Sequence, residues 1–193
     1  MSIKTDPTCM DDFDPNSLLV EQAVARIGET IQAVDGFESV AIRSALGRTL
    51  AADILSPINV PSHTNSSMDG YAVNSADLPA SGNMQLTVSG ESFAGHPMDK
   101  PINKGEAARI MTGAMMPEGA DTVIMQEHVE REGDVISIDD RHKAGQNVRH
   151  AGEDLSVGQV VLSAGRRVIP ADLGLLASLG VAEVKVKRNI RVA

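Results

Sequence analysis

The chain has 193 residues, 42% hydrophobic and 22% charged, which suits one large domain or two small ones that fold without crosslinks. Three Phe, one Tyr and no Trp leave the core to aliphatic side chains, and the single cysteine, Cys9, excludes an intramolecular disulfide or a thiolate metal cage. A net charge of −9 argues against a nucleic-acid partner, and no apolar run approaches the ~20 residues that cross a bilayer, so a cytoplasmic protein with no membrane partner is expected.

The first 15 residues, rich in Asp and Pro, read as a disordered tail. Asp14-Pro15 offers a cap and a first-turn proline, and SLLVEQAVARIGETIQAV follows with helical spacing. Val20, Val24, Ile27, Ile31 and Val34 form a narrow apolar seam that can pack on its own domain or on a second copy. Asp35-Gly36 ends the helix, Val40 and Ile42 suggest a short strand, and Ser44 can cap a short helix SALGRTLA. ADILSPI reads as extended, because the residue before Pro57 is pushed out of the α region.

From Pro61 to about residue 140 only short strand-like runs remain. Met84, Leu86 and Val88 mark one, Ala108 and Ile110 another, and DTVIMQEHVE with VISID reads as a hairpin, so a small barrel or sandwich is expected. QVVLSAGRRVI reads as a second hairpin, Pro170 opens the helix ADLGLLASL, Gly180 closes it, and VAEVKVK is a strand. The expected fold is α+β multidomain: a mixed α/β domain from residues 16–60 and 141–188, with a small all-β, barrel-like domain, 61–140, inserted in it. Residues 189–193 begin a new apolar alternation and stop, as at the start of a further domain, so the chain is expected to be part of a longer protein.

Three stretches carry candidate chemistry. SHTNSSMDGYAV places Asp69-Gly70 where it forms either a two-residue hairpin turn or a loop presenting a carboxylate to a hard cation or a water. RIMTGAMMPEGAD offers backbone N–H groups around Gly113 and the Thr112 hydroxyl as an anion nest, with an ordinary β-turn as the alternative. RHAGEDLSVGQ places Glu153 and Asp154 near a turn, where Asp154 either caps that turn or joins Asp69 in supplying oxygens to Mg²⁺. Arg141, His142, Lys143, Arg149 and His150 form the one local basic cluster. The five histidines lack zinc-site spacing, and no nucleophile motif is present.

Taken in order, PINVPSHTNSSMDGYAV, ESFAG, RIMTGAMMPEGADTVIMQE, GQNVRHAGEDLSVGQVV and LASLGVAEVKV resemble the N-terminal half of the MoeA and gephyrin E-domain family, the molybdopterin molybdenumtransferases, from about residue 17 to 193. The resemblance implies a cytoplasmic, Mg²⁺-dependent homodimer that inserts molybdate into adenylylated molybdopterin and releases AMP, with the molybdopterin adenylyltransferase as a possible partner. It makes 16–60 with 141–188 the linker and dimerisation domain. By motif it makes Asp69, Thr112 and Asp154 catalytic, Asp69 and Asp154 metal-binding, and Ser67, Met68, Gly70, Gly113 and Glu153 cofactor-binding. The family's catalytic MogA-like α/β domain, with its Thr-Gly-Asp-Glu motif, is absent, so the chain alone is expected to be inactive. A non-catalytic dimerisation or scaffold module is the alternative.

Overall fold

The computed structural model describes residues 18–190. The expectations for the tail, Cys9, Asp14-Pro15 and Val192 lie outside the described residues. By internal contacts the chain divides into two units, Met1–Glu38 with Lys187–Ala193, and Ser39–Val186.

In the first unit, helix α1 spans Val20–Thr30. Its entry is held by the Gln22 side chain, whose Oε1 accepts from the Leu19 N–H at 3.3 Å. The helix stops short of the predicted Val34. The Thr30 hydroxyl donates to the Arg26 and Ile27 carbonyls, and Ile31 is already extended at φ −83° and ψ 122°. No α1 residue is buried, and the seam faces outward: Val20 is 74% exposed, Val24 63%, Ile27 55% and Ile31 68%.

Strand β1, Phe37–Ala41, pairs with the last strand, β12, Glu183–Lys187. Ile42–Ser44 is a single 3-10 turn, not the cap of a helix. Gly47 at φ 74° breaks any continuation, and Thr49 and Leu50 form bridges to Arg167 and Val186. Strand β2, Ile54–Leu55, takes β11, Val160–Leu162, as its antiparallel partner. The predicted hairpin within QVVLSAGRRVI therefore does not form. Both of its arms pair with residues 49–56: the Leu50 N–H donates to the Arg166 carbonyl at 2.9 Å, and the Ser56 N–H to that of Gln159 at 2.8 Å. Helix α2, Pro170–Ser178, starts at the predicted proline and ends before Gly180, whose φ is 74°. Ala45, Leu50, Leu162, Val168, Leu176, Val184 and Val186 form one aliphatic core.

The middle of the chain builds a six-stranded mixed sheet that curls as a half-barrel. Its strands are β4 (Gly70–Val73), β5 (Met84–Ser92), β6 (Glu106–Ile110), β7 (Thr122–Met125), β8 (Glu130–Glu132) and β9 (Val135–Ile138), in the order β7-β4-β6-β5-β9-β8. Only β5 and β6 run parallel. The DTVIMQEHVE–VISID hairpin is half realised. β8 and β9 close around Gly133, φ 61°, but β7 leaves at Gln126–His128, a 3-10 turn, and pairs with β4. Val73, Leu86, Ile124, Ile136 and Ile138 fill one face of the sheet, and Ala72, Ala108, Ile110 and Val123 the other. Such two-faced burial is what the near-continuous apolar runs TVIM and YAV require.

Candidate functional site around Asp69

Asp69-Gly70 is not a hairpin turn. The strand before it, β3 (Asn65–Ser66), pairs with β10 (Val148–Arg149), while Gly70 opens β4 between β6 and β7. Gly70 is required by close approach: a Cβ there would overlap the Ile124 carbonyl oxygen, 2.8 Å from its carbon and 3.1 Å from Met125 Cα. Asp69 is thus the last exposed residue before a buried strand, and its backbone is fixed by that strand.

Residues 60–69 run between two other loops. The Val60 N–H donates to the Leu155 carbonyl at 2.8 Å, and the Asp154 and Leu155 N–H groups return to the Val60 carbonyl at 2.9 and 3.1 Å. The Gly152 N–H reaches the Pro61 carbonyl at 2.9 Å. On the other flank Met116 donates to Thr64 and Gly113 to Ser66, and Ser66 donates to Ala114. The buried Ser66 hydroxyl, 2.6 Å from the Met68 carbonyl, tightens the turn into Asp69, and the Ser67 N–H is taken by the Asn147 carbonyl. The three motif stretches, dispersed in sequence, thereby meet along one segment.

Thr112 and Asp69 are brought together directly. Asp69 Oδ1 accepts from the Thr112 N–H at 2.7 Å and from its hydroxyl at 2.8 Å. The backbone donor first, then the hydroxyl, hold the Asp69 carboxyl below the usual carboxylate range, and the Arg109 charge adds to this against partial desolvation. Asp69 is therefore ionised at neutral pH with one oxygen, Oδ2, left for a ligand.

The anion nest expected around Gly113 is not formed. Thr112 N–H is spent on Asp69, Gly113 N–H on Ser66 and Ala114 N–H on Met111, so the positive φ of Gly113, 81°, serves the turn. Gly70 is buried in the sheet. Glu153 Oε2 accepts from the His150 N–H at 3.0 Å. Asp154 Oδ1 accepts from the Arg149 guanidinium, with Glu153 Oε1 3.6 Å from Arg149 Nε, so the two carboxylates share a cation and it is Glu153, not Asp154, that caps a turn. The hydrogen bonds of Asp69 and Asp154 run to different partners. Of the predicted basic cluster, Arg141 is likewise neutralised, by Asp139.

A match to the model of the MoeA N-terminal region, domains I and II, spans residues 18–180. The chain belongs to the MoeA family. It is 47% identical over 176 residues to the molybdopterin molybdenumtransferase of Haemophilus influenzae, covering 91% of this chain and 43% of that protein. It is 35% identical over 181 residues to the Staphylococcus aureus molybdopterin molybdenumtransferase, covering 92% and 43%. A crystal structure of the molybdopterin biosynthesis MoeA protein of Pyrococcus horikoshii superposes with a TM-score of 0.80 at 36% identity, over 86% of this chain and 45% of that one. The chain thus spans less than half the length of the relatives it matches.

Of the predicted metal-binding pair, Asp69 engages only Oδ1, with the neutral donors of Thr112, and Asp154 only Oδ1, with the Arg149 guanidinium, whose charge would oppose a cation there. Among the described residues no three His, Cys, Asp or Glu side chains converge as a metal cluster. A cleft of about 670 Å³ lies along β8 and β9, lined by Gln85, Glu130, Arg131 and Val135 among others, and includes none of the predicted site residues.

Sequence reasoning missed Arg109, Gln126 and Glu127. The Arg109 guanidinium donates to the Gly70 carbonyl at 2.9 Å and to Gln126 Oε1, and lies 5.1 Å over the Tyr71 ring. Gln126 N–H reaches the Asp69 carbonyl at 3.1 Å, and its amide Nε2 donates to Glu127 at 3.1 Å. A lone arginine inside the apolar strand EAARI was the available signal.

Proposed function

We propose that this MoeA-family region works within a molybdenum-cofactor biosynthesis enzyme that inserts molybdate into adenylylated molybdopterin and releases AMP in the cytoplasm. The observation that carries the reading is Asp69: an ionised carboxylate, clamped by Thr112 from a loop 43 residues away and left with one open oxygen at the protein surface. The naming of relatives as molybdopterin molybdenumtransferases supports the substrate class. Mg²⁺, when bound, would neutralise charge on the phosphoanhydride being cleaved. Asp69 Oδ2 is the ligand this chain offers, Thr112 keeps that carboxylate in one rotamer, and Asp154 with Arg149 forms a dipolar flank that can orient an anionic substrate. Ser67, Met68 and Glu153 border the same segment and are assigned to substrate contact.

The same reading takes residues 16–60 with 141–188 as the dimerisation and linker domain and 61–140 as the inserted β domain. The exposed α1 seam favours a homodimer, and the thiolates for the metal belong to the substrate. The isolated chain is then inactive, because its anionic substrates need cations, the region is acidic overall, and Arg141 and Arg149 of its basic cluster are held by Asp139 and Asp154.

The test is Asp69→Asn in the complete protein. Loss of molybdenum insertion by at least a hundredfold, with an unchanged melting temperature, is expected from loss of a positioned charge. Wild-type insertion by this variant would remove the basis of the proposal.

A further inference from the structure

We propose that Arg109 is a positioning residue for the reaction, its guanidinium locking the backbone on both sides of Asp69 so that the carboxylate meets substrate in one orientation. The inference rests on the reading of Asp69 given above. Arg109 stands directly across the ladder from Tyr71, and its side chain folds over that ring toward the β4 entry. One arm of the fork holds the carbonyl of Gly70, the residue after Asp69. The other arm holds the Gln126 side chain, while the Gln126 backbone N–H holds the carbonyl of Asp69 itself. Two consecutive carbonyls are therefore pinned from one guanidinium, directly and through one residue. Thr112 fixes the side chain that leaves the same backbone.

Two features separate this from an ordinary structural arginine. Arg141, Arg149 and Arg166 each form an ion pair with a carboxylate, whereas Arg109 makes none among the described residues. Its charge is therefore not cancelled locally and acts on the Asp69 carboxylate. The fork geometry is also needed: a lysine reaches one of the two acceptors as a point charge but cannot span both.

The experiment uses the 193-residue chain with Arg109→Gln and Arg109→Lys, read by NMR. Hydrogen exchange is followed at the Thr112 and Gln126 amides. In both variants these amides exchange at least fivefold faster than in wild type, because neither replacement spans the two acceptors. If Arg109→Gln does not fold, the exchange result for Arg109→Lys carries the test. Wild-type exchange at both amides in Arg109→Lys would overturn the proposal.

In the complete protein the same lysine variant should lower kcat about tenfold with little change in KM, since binding surfaces are untouched and orientation is lost. Failure of Asp69→Asn to reduce insertion would refute the functional reading while leaving the NMR result standing. The two can thus fail separately.

Discussion

Replacing Gly70 with alanine tests whether the Asp69 carboxylate is set by the sheet. A methyl group there meets backbone on the neighbouring strand, the Ile124 carbonyl and Met125 Cα, rather than a side chain that can turn away. The ladder between β4 and β7 must open at the Gly70–Met125 and Tyr71–Ile124 positions. Overpacking costs roughly 1–3 kcal/mol and each lost ladder bond about 1 kcal/mol, so a loss of roughly 3–5 kcal/mol is expected. For a chain of this length that corresponds to a fall in melting temperature of roughly 6–20 °C. Gly174→Ala in α2 is the control, since nothing lies within 4 Å of its added methyl. There the helix should gain roughly 0.5–1 kcal/mol. Urea unfolding of both variants, followed by circular dichroism, gives the comparison. A Gly70→Ala chain within about 1 kcal/mol of wild type would show that β7 yields, and that Asp69 is not held by a rigid strand entry.

Two further measurements probe a buried histidine and the α1 seam. His142 is buried, and burial lowers its pKa from 6.5; Asp139 opposes this, while His128 and Arg141 reinforce it. The Lys143 N–H donates to Gln146 Oε1, so the amide Nε2 faces His142 Nδ1 at 2.9 Å and the ring is neutral, with its proton on Nε2, which lies 3.4 Å from Asp139 Oδ1 and makes no hydrogen bond. The unfolded chain then binds the extra proton first, so stability is full above pH 6.5 and falls as pH drops through the lower folded value. The urea midpoint should decline between pH 7 and 5, less steeply in His142→Gln, and an identical slope in the two would exclude His142 as the cause. For the α1 seam, sedimentation at tens of micromolar should show a dimer that Ile27→Asp dissociates, with a strict wild-type monomer as the refuting result.

How legible this was in the sequence depended on the range of the deciding interaction. Helix α2 was readable because its signals are local: Pro170 at the start and Gly180 just past the end. Strands β5 and β6 were readable from two-residue alternation. The failures share a cause. SALGRTLA has helix-forming residues, yet Leu50 is completely buried in the aliphatic core and bridged to Val186, so tertiary burial overrode local preference. QVVLSAGRRVI has the spacing of a hairpin, but its partners lie some 110 residues earlier, as in the Val160–Leu55 pairing. Asp69-Gly70 carries a hairpin dipeptide, and what decides its shape is the Ile124 carbonyl, which no short-range pattern encodes. For the site, the motifs located Asp69 and Thr112 but not their bond, and the bonds of Arg109 to Gly70 and Gln126 cross between strands, beyond any local pattern.

The charge arrangement explains why the two candidate carboxylates should behave differently. Asp69 is bound only by neutral donors, so its negative charge is stabilised by hydrogen bonds and remains unpaired toward solvent. Asp154 lies against Arg149, which also draws on Glu153, giving that corner two negative charges to one positive. A hard cation is attracted to both, but at Asp154 it meets the repulsion of the guanidinium bound to Oδ1, whereas at Asp69 the bound donors are neutral. An oxyanion experiences the reverse, being repelled by Asp69 and drawn to Arg149 once the carboxylates beside it are neutralised. On the proposed reading the two motifs therefore favour ligands of opposite charge, a hard cation at Asp69 and an oxyanion at Arg149 once its carboxylates are neutralised.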